Sequence, residues 1–166
     1  MLSIHRNCGL HIGQAQNADA LSGQGESDMV FEFRKRIFGY ECDVYGHLNN
    51  ANYLQILESA RAEAMIGMGM SVSRMRELNL QVFIRSFELD YRKSIGLEEI
   101  ITVRSWFDEI NRVKGLWTQE IYNSGGDLCF VARMVGIFAS GGKPQRLPQA
   151  VFELFSSFQE QPHTEQ

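Results

Sequence analysis

The sequence predicts an α+β fold in which one long helix is wrapped by a curved antiparallel sheet of about five strands. Three observations carry this expectation. Apolar residues recur at steps of three and four over one sustained stretch, 51–68. Strand-like segments follow it, joined by turns so short that the pairing must be antiparallel. These segments run to roughly 11–13 residues, about 40 Å at about 3.3 Å per residue, long enough to curl around a helix.

Residues 1–28 are rich in Gly, Ser, Asn, Gln and Ala without periodicity and are expected to form a disordered extension. The folded domain is expected over 29–159, with a frayed tail over 160–166. In Met29–Phe38 the residues Phe31, Phe33 and Ile37 alternate with Glu32, Arg34 and Arg36, a strand pattern. Gly39–Asn50 reads as a polar loop. From Ala51 to Met68 the residues Leu54, Leu57, Arg61, Ala64, Met65 and Met68 mark one helical face. Asn49 or Asn50 is the expected N-cap, and Gly67-Met68-Gly69 the stop. A short helix is expected over Ser71–Leu78. Strands follow over Gln81–Lys93, Glu99–Ile110, Val113–Asn123 and Leu128–Ser140, with turns at Ser94–Gly96, Glu109–Asn111 and Asn123–Asp127. The last strand is apolar on both faces. One helix covers one face, so the other calls for a second subunit or for the amphipathic segment around Val151, Leu154, Phe155 and Phe158.

Composition narrows the function. A chain of 166 residues suits one domain that needs no disulfide or metal staple. A net charge of -4 and a pI of about 5.6 speak against nucleic-acid binding. No apolar run is long enough for a membrane span, and the N-terminus lacks the apolar core of a secretory signal. The three cysteines Cys8, Cys42 and Cys129 are odd in number and form no CxxC pair, which points to reduced thiols in the cytoplasm. Of four histidines, only His47 lies in the expected folded body. No metal site is expected, and the Gly-x-Ser-x-Gly, Walker A, HExxH and EF-hand motifs are missing.

Chemically capable residues concentrate in Glu41-Cys42-Asp43-Val44-Tyr45-Gly46-His47-Leu48-Asn49-Asn50-Ala51-Asn52-Tyr53, where the long helix begins. A helix start offers unpaired N–H groups and partial positive charge that can hold a developing oxyanion. A carboxylate just upstream can attack a carbonyl or activate water. The plainer reading also stands: Asp43 as an Asx-turn residue and Asn50 as a cap. Cys42 as a nucleophile lacks a second histidine to support it.

The run Arg36-Ile37, then Cys42 to Asn50, then Tyr53 and Glu58, resembles the active-site signature of hotdog-fold thioesterases, nearest the 4-hydroxybenzoyl-CoA thioesterase-like group. The similarity extends over roughly 29–148 and includes Gly142–Pro148. The resemblance implies a hotdog fold and hydrolysis of an acyl or aroyl thioester to free acid and coenzyme A (CoA), without cofactor. It implies Asp43 as catalytic nucleophile or general base, and the Asn50 N–H as oxyanion donor. Gly46 falls at the thioester carbonyl site, with Tyr45 beside it as a substrate contact, His47 as an orienting group and Tyr53 as a pocket aromatic. Glu58 is either a second carboxylate across the pocket or the partner of Arg61 three residues on. Lys143 and Arg146, or Arg92 and Lys93, are the cations on offer for the CoA phosphates. In the turn where many relatives carry Pro and then Gly-Asp, this chain has Ser94-Ile95-Gly96-Leu97-Glu98. The expected partners are an acyl-CoA or acyl-carrier-protein thioester and further copies of the chain, as a dimer or a dimer of dimers (homotetramer). Two alternatives remain: an enoyl-CoA hydratase or dehydratase on the same fold, using Asp43 and His47, and a non-catalytic acyl-thioester-binding protein.

Overall fold

The computed structural model describes residues 30–159. The expected extension over 1–28 and tail over 160–166 lie outside the described residues. The order of elements is β1 (Phe31–Arg36), a single 3-10 turn (Gly39–Glu41), α1 (Asn50–Gly67), α2 (Val72–Glu77), β2 (Gln81–Tyr91), β3 (Ile100–Ile110), β4 (Lys114–Tyr122), β5 (Leu128–Ser140), β6 (Lys143–Pro144) and α3 (Gln149–Ser156). The five expected strands form one antiparallel sheet in the order β1-β3-β4-β5-β2, and the two-residue β6 adds to β5. The long helix lies in the curl of that sheet, the architecture the sequence predicts.

Local chemistry sets the ends of α1. The Asn49 side chain accepts from the Ala51 N–H at 3.0 Å, so Asn49 is the cap and Asn50 the first helical residue. At the other end Gly69 takes φ +73°, its N–H donates to Ile66 O at 2.9 Å, and the Met70 N–H donates to Met65 O at 2.8 Å. This is a Schellman motif, which requires the left-handed residue that glycine supplies most readily. Ser71 then caps α2 by accepting from the Arg74 N–H.

The buried stripe of α1 is Tyr53, Ile56, Leu57, Ala60 and Ala64. It is rotated from the expected face: Leu54 is 38% exposed, and Arg61 and Met65 stand at its margin. Tyr53, Ile56 and Ala60 also follow steps of three and four, and small Ala60 and Ala64 let the helix lie close on the sheet. Around the first half of α1 the core holds Ile37, Leu48, Ile95, Ile101, Ile121 and Phe130. Around its second half lie Phe107, Trp117, Phe138, Leu147 and Phe155.

The C-terminal helix packs on the same sheet face as α1. Phe155 meets Phe107 and Phe138 with ring centroids 5.6 and 6.2 Å apart. It therefore leaves the opposite face of β5 alone, where Val135 and Ile137 are half-buried. β2 is an edge strand with a bulge between Ile84 and Ser86, and Phe83, Ile84 and Tyr91 along it are 44%, 48% and 47% exposed. No helix among the described residues is long and apolar enough to cross a membrane.

Candidate active site

The loop between β1 and α1 is tied to itself and to the sheet. The Asp43 N–H donates to His47 O at 2.8 Å, and the Gly46 N–H to Asp43 O at 3.1 Å. Asp43 Oδ1 accepts the N–H groups of Tyr45 at 2.9 Å and His47 at 3.2 Å. The Asx-turn geometry is thus present, and it fixes the carboxylate. Gly46 has φ +78° with open space where a Cβ would stand, so the backbone angle, not crowding, calls for glycine there. The Leu48 N–H donates to Ile95 O at 2.8 Å and the Leu97 N–H to Gly46 O at 3.2 Å, which stitch the loop to the Ser94–Glu98 turn.

Behind the loop, Glu41 is buried and accepts from Lys35 Nζ at 2.9 Å and the Phe38 N–H at 3.0 Å. Its main-chain oxygen takes the Asn49 N–H at 2.9 Å and Asn52 Nδ2 at 2.8 Å. Glu41, Lys35 and Asn52 therefore hold the helix start in place, a role not visible in the sequence pattern. The adjacent asparagines were the only local signal. Among the described residues no acceptor takes the Asn50 N–H, which is left at the positive end of α1.

Tyr53 is buried against Phe130 and Tyr91, with centroids 4.6 and 5.1 Å away. Burial pushes its phenol up to about 12, so it stays protonated at any working pH. The Tyr91 hydroxyl donates to Asn50 O at 3.3 Å, joining the end of β2 to the first residue of α1. Cys42 donates through Sγ to Phe38 O, and burial followed by the Asp43 and Glu41 charges raises its thiol pKa, which disfavours the thiolate a nucleophile needs. His47 is exposed, and Tyr45 and Val44 at the loop tip are 81% and 93% exposed.

One chain brings Asp43, Tyr45, Gly46, His47, Asn50 and Tyr53 into one neighbourhood, but not Glu58, Lys143 or Arg146. Glu58 lies two turns further along α1, about 12 Å at 1.5 Å per residue, and is ion-paired with Arg61. Lys143 and Arg146 follow β5 beside the start of β2, where the Gly142 N–H donates to Gln81 Oε1 at 2.8 Å. The end of β2 that touches Asn50 is some ten residues, about 30 Å, away. Arg92 and Lys93 lie at the Asn50 end and pair with Asp90 and Asp127. A cavity of about 520 Å³ begins at Glu58 and Arg61 and runs away from Asp43, toward α2 and Phe155. No cluster of three or more metal-ligating side chains occurs among the described residues.

Comparison with known proteins places this geometry. The family model of the thioesterase-like superfamily matches residues 39–155. The chain is similar to the long-chain acyl-CoA thioesterase FadM of Escherichia coli, 31% identical over 86 residues, which is 52% of this chain and 64% of that one. Among solved structures it is similar to the probable thioesterase YbaW of Escherichia coli, with a TM-score of 0.67 and 26% identity over 77% of this chain and 98% of that one. It also shares its fold with SAV2348 of Staphylococcus aureus, solved in complex with CoA, with a TM-score of 0.78 and 14% identity over 87% and 93% of the two chains.

Proposed function

Because the chain belongs to the thioesterase-like superfamily, we propose that it hydrolyses the thioester of an acyl-CoA, with Asp43 as the catalytic carboxylate. The observation that carries this reading is the juxtaposition of a carboxylate fixed through Oδ1 with an unclaimed N–H at the start of α1. With the acyl carbonyl oxygen on the Asn50 N–H, negative charge grows on that oxygen where the helix end favours it. Asp43 then attacks the carbonyl carbon itself, or takes a proton from a water that does. Collapse of the tetrahedral species breaks the carbon–sulfur bond and expels the CoA thiolate, which is protonated on release. On the direct route the acyl–Asp43 anhydride left behind is then hydrolysed by water, which frees the acid and restores the carboxylate; on the water route the acid is formed at once. His47 and Tyr45 rim the site as substrate contacts, and buried Tyr53 supports it from below.

The carboxylate and the cavity lie at different ends of α1, so a second copy of the chain completes the site. An antiparallel pairing of β2 with its copy would place the Tyr91 end of one strand beside the Gln81 end of the other. That brings the partner's Asp43 toward the cavity mouth at Glu58 and Arg61. It also covers the exposed Phe83, Ile84 and Tyr91 and caps an open strand edge. We therefore propose a homo-oligomer built on this edge, a dimer or a dimer of dimers, working in the cytoplasm on acyl-CoA or an acyl-carrier-protein thioester. Sedimentation equilibrium is expected to give two or four times the 18.9 kDa chain mass; a monomer at micromolar concentration would refute it. In CoA binding, Arg92 and Lys93 serve the Asp43 end of the same chain, whereas Lys143 and Arg146 reach it only across the β2 edge.

The two alternatives separate cleanly in one assay. With an enoyl-CoA as substrate, free thiol and enoyl absorbance are followed together. Thiol release with the double bond intact is expected. Loss of the enoyl band without thiol identifies a hydratase, and neither change identifies a binding protein.

A further inference from the structure

The cavity beside α1 is about 520 Å³, within the roughly 300–1,000 Å³ typical of small-molecule sites. Its polar side chains stand at its rim, apart from Trp117, whose buried Nε1 has no hydrogen-bond partner among the described residues. Glu58 and Arg61 stand at one end, and Ser71 and Ser73 belong to the start of α2, where the Ser71 hydroxyl already caps Arg74. The strands contribute only apolar or aromatic side chains and two glycines. Met65, Met70, Met75 and Met134 make much of the wall, and unbranched thioethers adapt to a flexible guest.

The floor is unusual. Gly115 and Gly136 are direct register partners on β4 and β5. A Cβ at Gly136 would stand 2.9 Å from Val82 Cγ1, and one at Gly115 would stand 3.2 Å from the Phe107 ring. Both neighbours therefore sink onto bare backbone. Glycine inside a strand costs stability and marks a place where something must approach closely. Here it lowers Val82 and Phe107 and deepens the cavity. The polar end is fixed just as firmly. Gln119, 1% exposed, accepts from Arg61 Nη1 at 3.5 Å and donates through Nε2 to Leu57 O at 3.1 Å and Ser105 Oγ at 3.0 Å. Arg61 is thereby held at the mouth with Glu58 as its ion-pair partner.

We infer that this cavity takes an unbranched aliphatic acyl chain of medium to long length. Its thioester end lies at Glu58 and Arg61, and its methyl end passes over the Gly115–Gly136 pair toward Phe155. Along that wall a hydroxylated aroyl group would find one unpartnered donor at most, Trp117 Nε1, for the polar atoms it buries, whereas an alkyl chain buries none. The identity of the head group rests on the thioesterase reading above; the chain site rests on the cavity.

The test measures thiol release from acetyl-, octanoyl-, hexadecanoyl- and 4-hydroxybenzoyl-CoA, and in parallel the calorimetric affinity of uncleavable S-alkyl-CoA thioethers matching the three alkyl chains. Affinity is expected to rise about fourfold per buried methylene until the cavity is full, with 4-hydroxybenzoyl-CoA a poor substrate. Gly136→Ala pushes Val82 into the cavity, and Met75→Trp fills it from α2. Each is expected to lower the long-to-short ratio of kcat/KM by roughly tenfold. Affinity independent of chain length, a preference for 4-hydroxybenzoyl, or an unchanged ratio in both folded variants would overturn the inference. Chain-length-dependent thioether binding without cleavage of any thioester would support the chain site and sink the hydrolase reading.

Discussion

Asp43→Asn is expected to reduce kcat/KM for acyl-CoA hydrolysis by about a thousandfold, the middle of the range for a lost acid–base group, while the protein stays folded. The substitution is informative because of what it leaves in place. An asparagine Oδ1 can still accept from the Tyr45 and His47 N–H groups, which the Asp43 oxygen does at 2.9 and 3.2 Å. The Asx turn and the left-handed Gly46 therefore survive. What is lost is the charge, and with it the ability to attack a carbonyl or to take a proton from water. If Asp43 served only to shape the loop, the variant would work almost as well as the wild type. Thermal unfolding beside the thiol assay separates the two, since a loop residue moves stability and a catalytic carboxylate moves turnover.

Phe130→Ala is expected to cost about 3–5 kcal/mol of stability, with a fall in the unfolding midpoint of roughly 10 °C or more. Phe130 is wholly buried on β5, with ring centroids 4.6 Å from Tyr53 and 4.7 Å from Tyr91. The three rings pack between the first turn of α1 and the end of β2, so little can collapse into the space left behind. The loss also reaches the site. Tyr91 holds the Asn50 carbonyl through its hydroxyl, and Tyr53 sits one turn into the same helix. Activity per folded molecule is expected to fall along with the midpoint, and circular dichroism melts with thiol release read both. A variant as stable as the wild type would show that the aromatic cluster does not brace the helix start.

Much of this was legible because the signals are local. The apolar segment Leu128–Ser140 matches β5 at both ends, and Gly67-Met68-Gly69 marks the Schellman stop. The run from Glu41 to Tyr53 stood out because turn formers, a helix start and a carboxylate fall within one loop. Features that depend on how distant residues meet were not legible. The buried stripe of α1 is rotated toward Tyr53 and Ile56 because the curl of the sheet, not helical periodicity alone, decides what is covered. Glu41 reads as a loop residue until β1 sets Lys35 against it. The Gly115–Gly136 pair exists only through strand register, since neither glycine is remarkable in its own segment. Gln119 is a polar residue in a strand of mixed character, and its link to Arg61 spans 58 positions. Glu58 follows the same logic: its ion pair with Arg61 is readable at three residues' spacing, but its place at a cavity mouth is not.

A single-turnover experiment addresses the role of Asp43 most directly. Enzyme in excess over hexadecanoyl-CoA binds the whole substrate pool, and free CoA is then followed in time for the wild type and for Asp43→Asn. The wild type is expected to convert the bound pool completely, while the variant holds it bound and intact on the same timescale. Equal rates of CoA release from the two proteins would contradict the assignment of Asp43 as the group that cleaves the thioester.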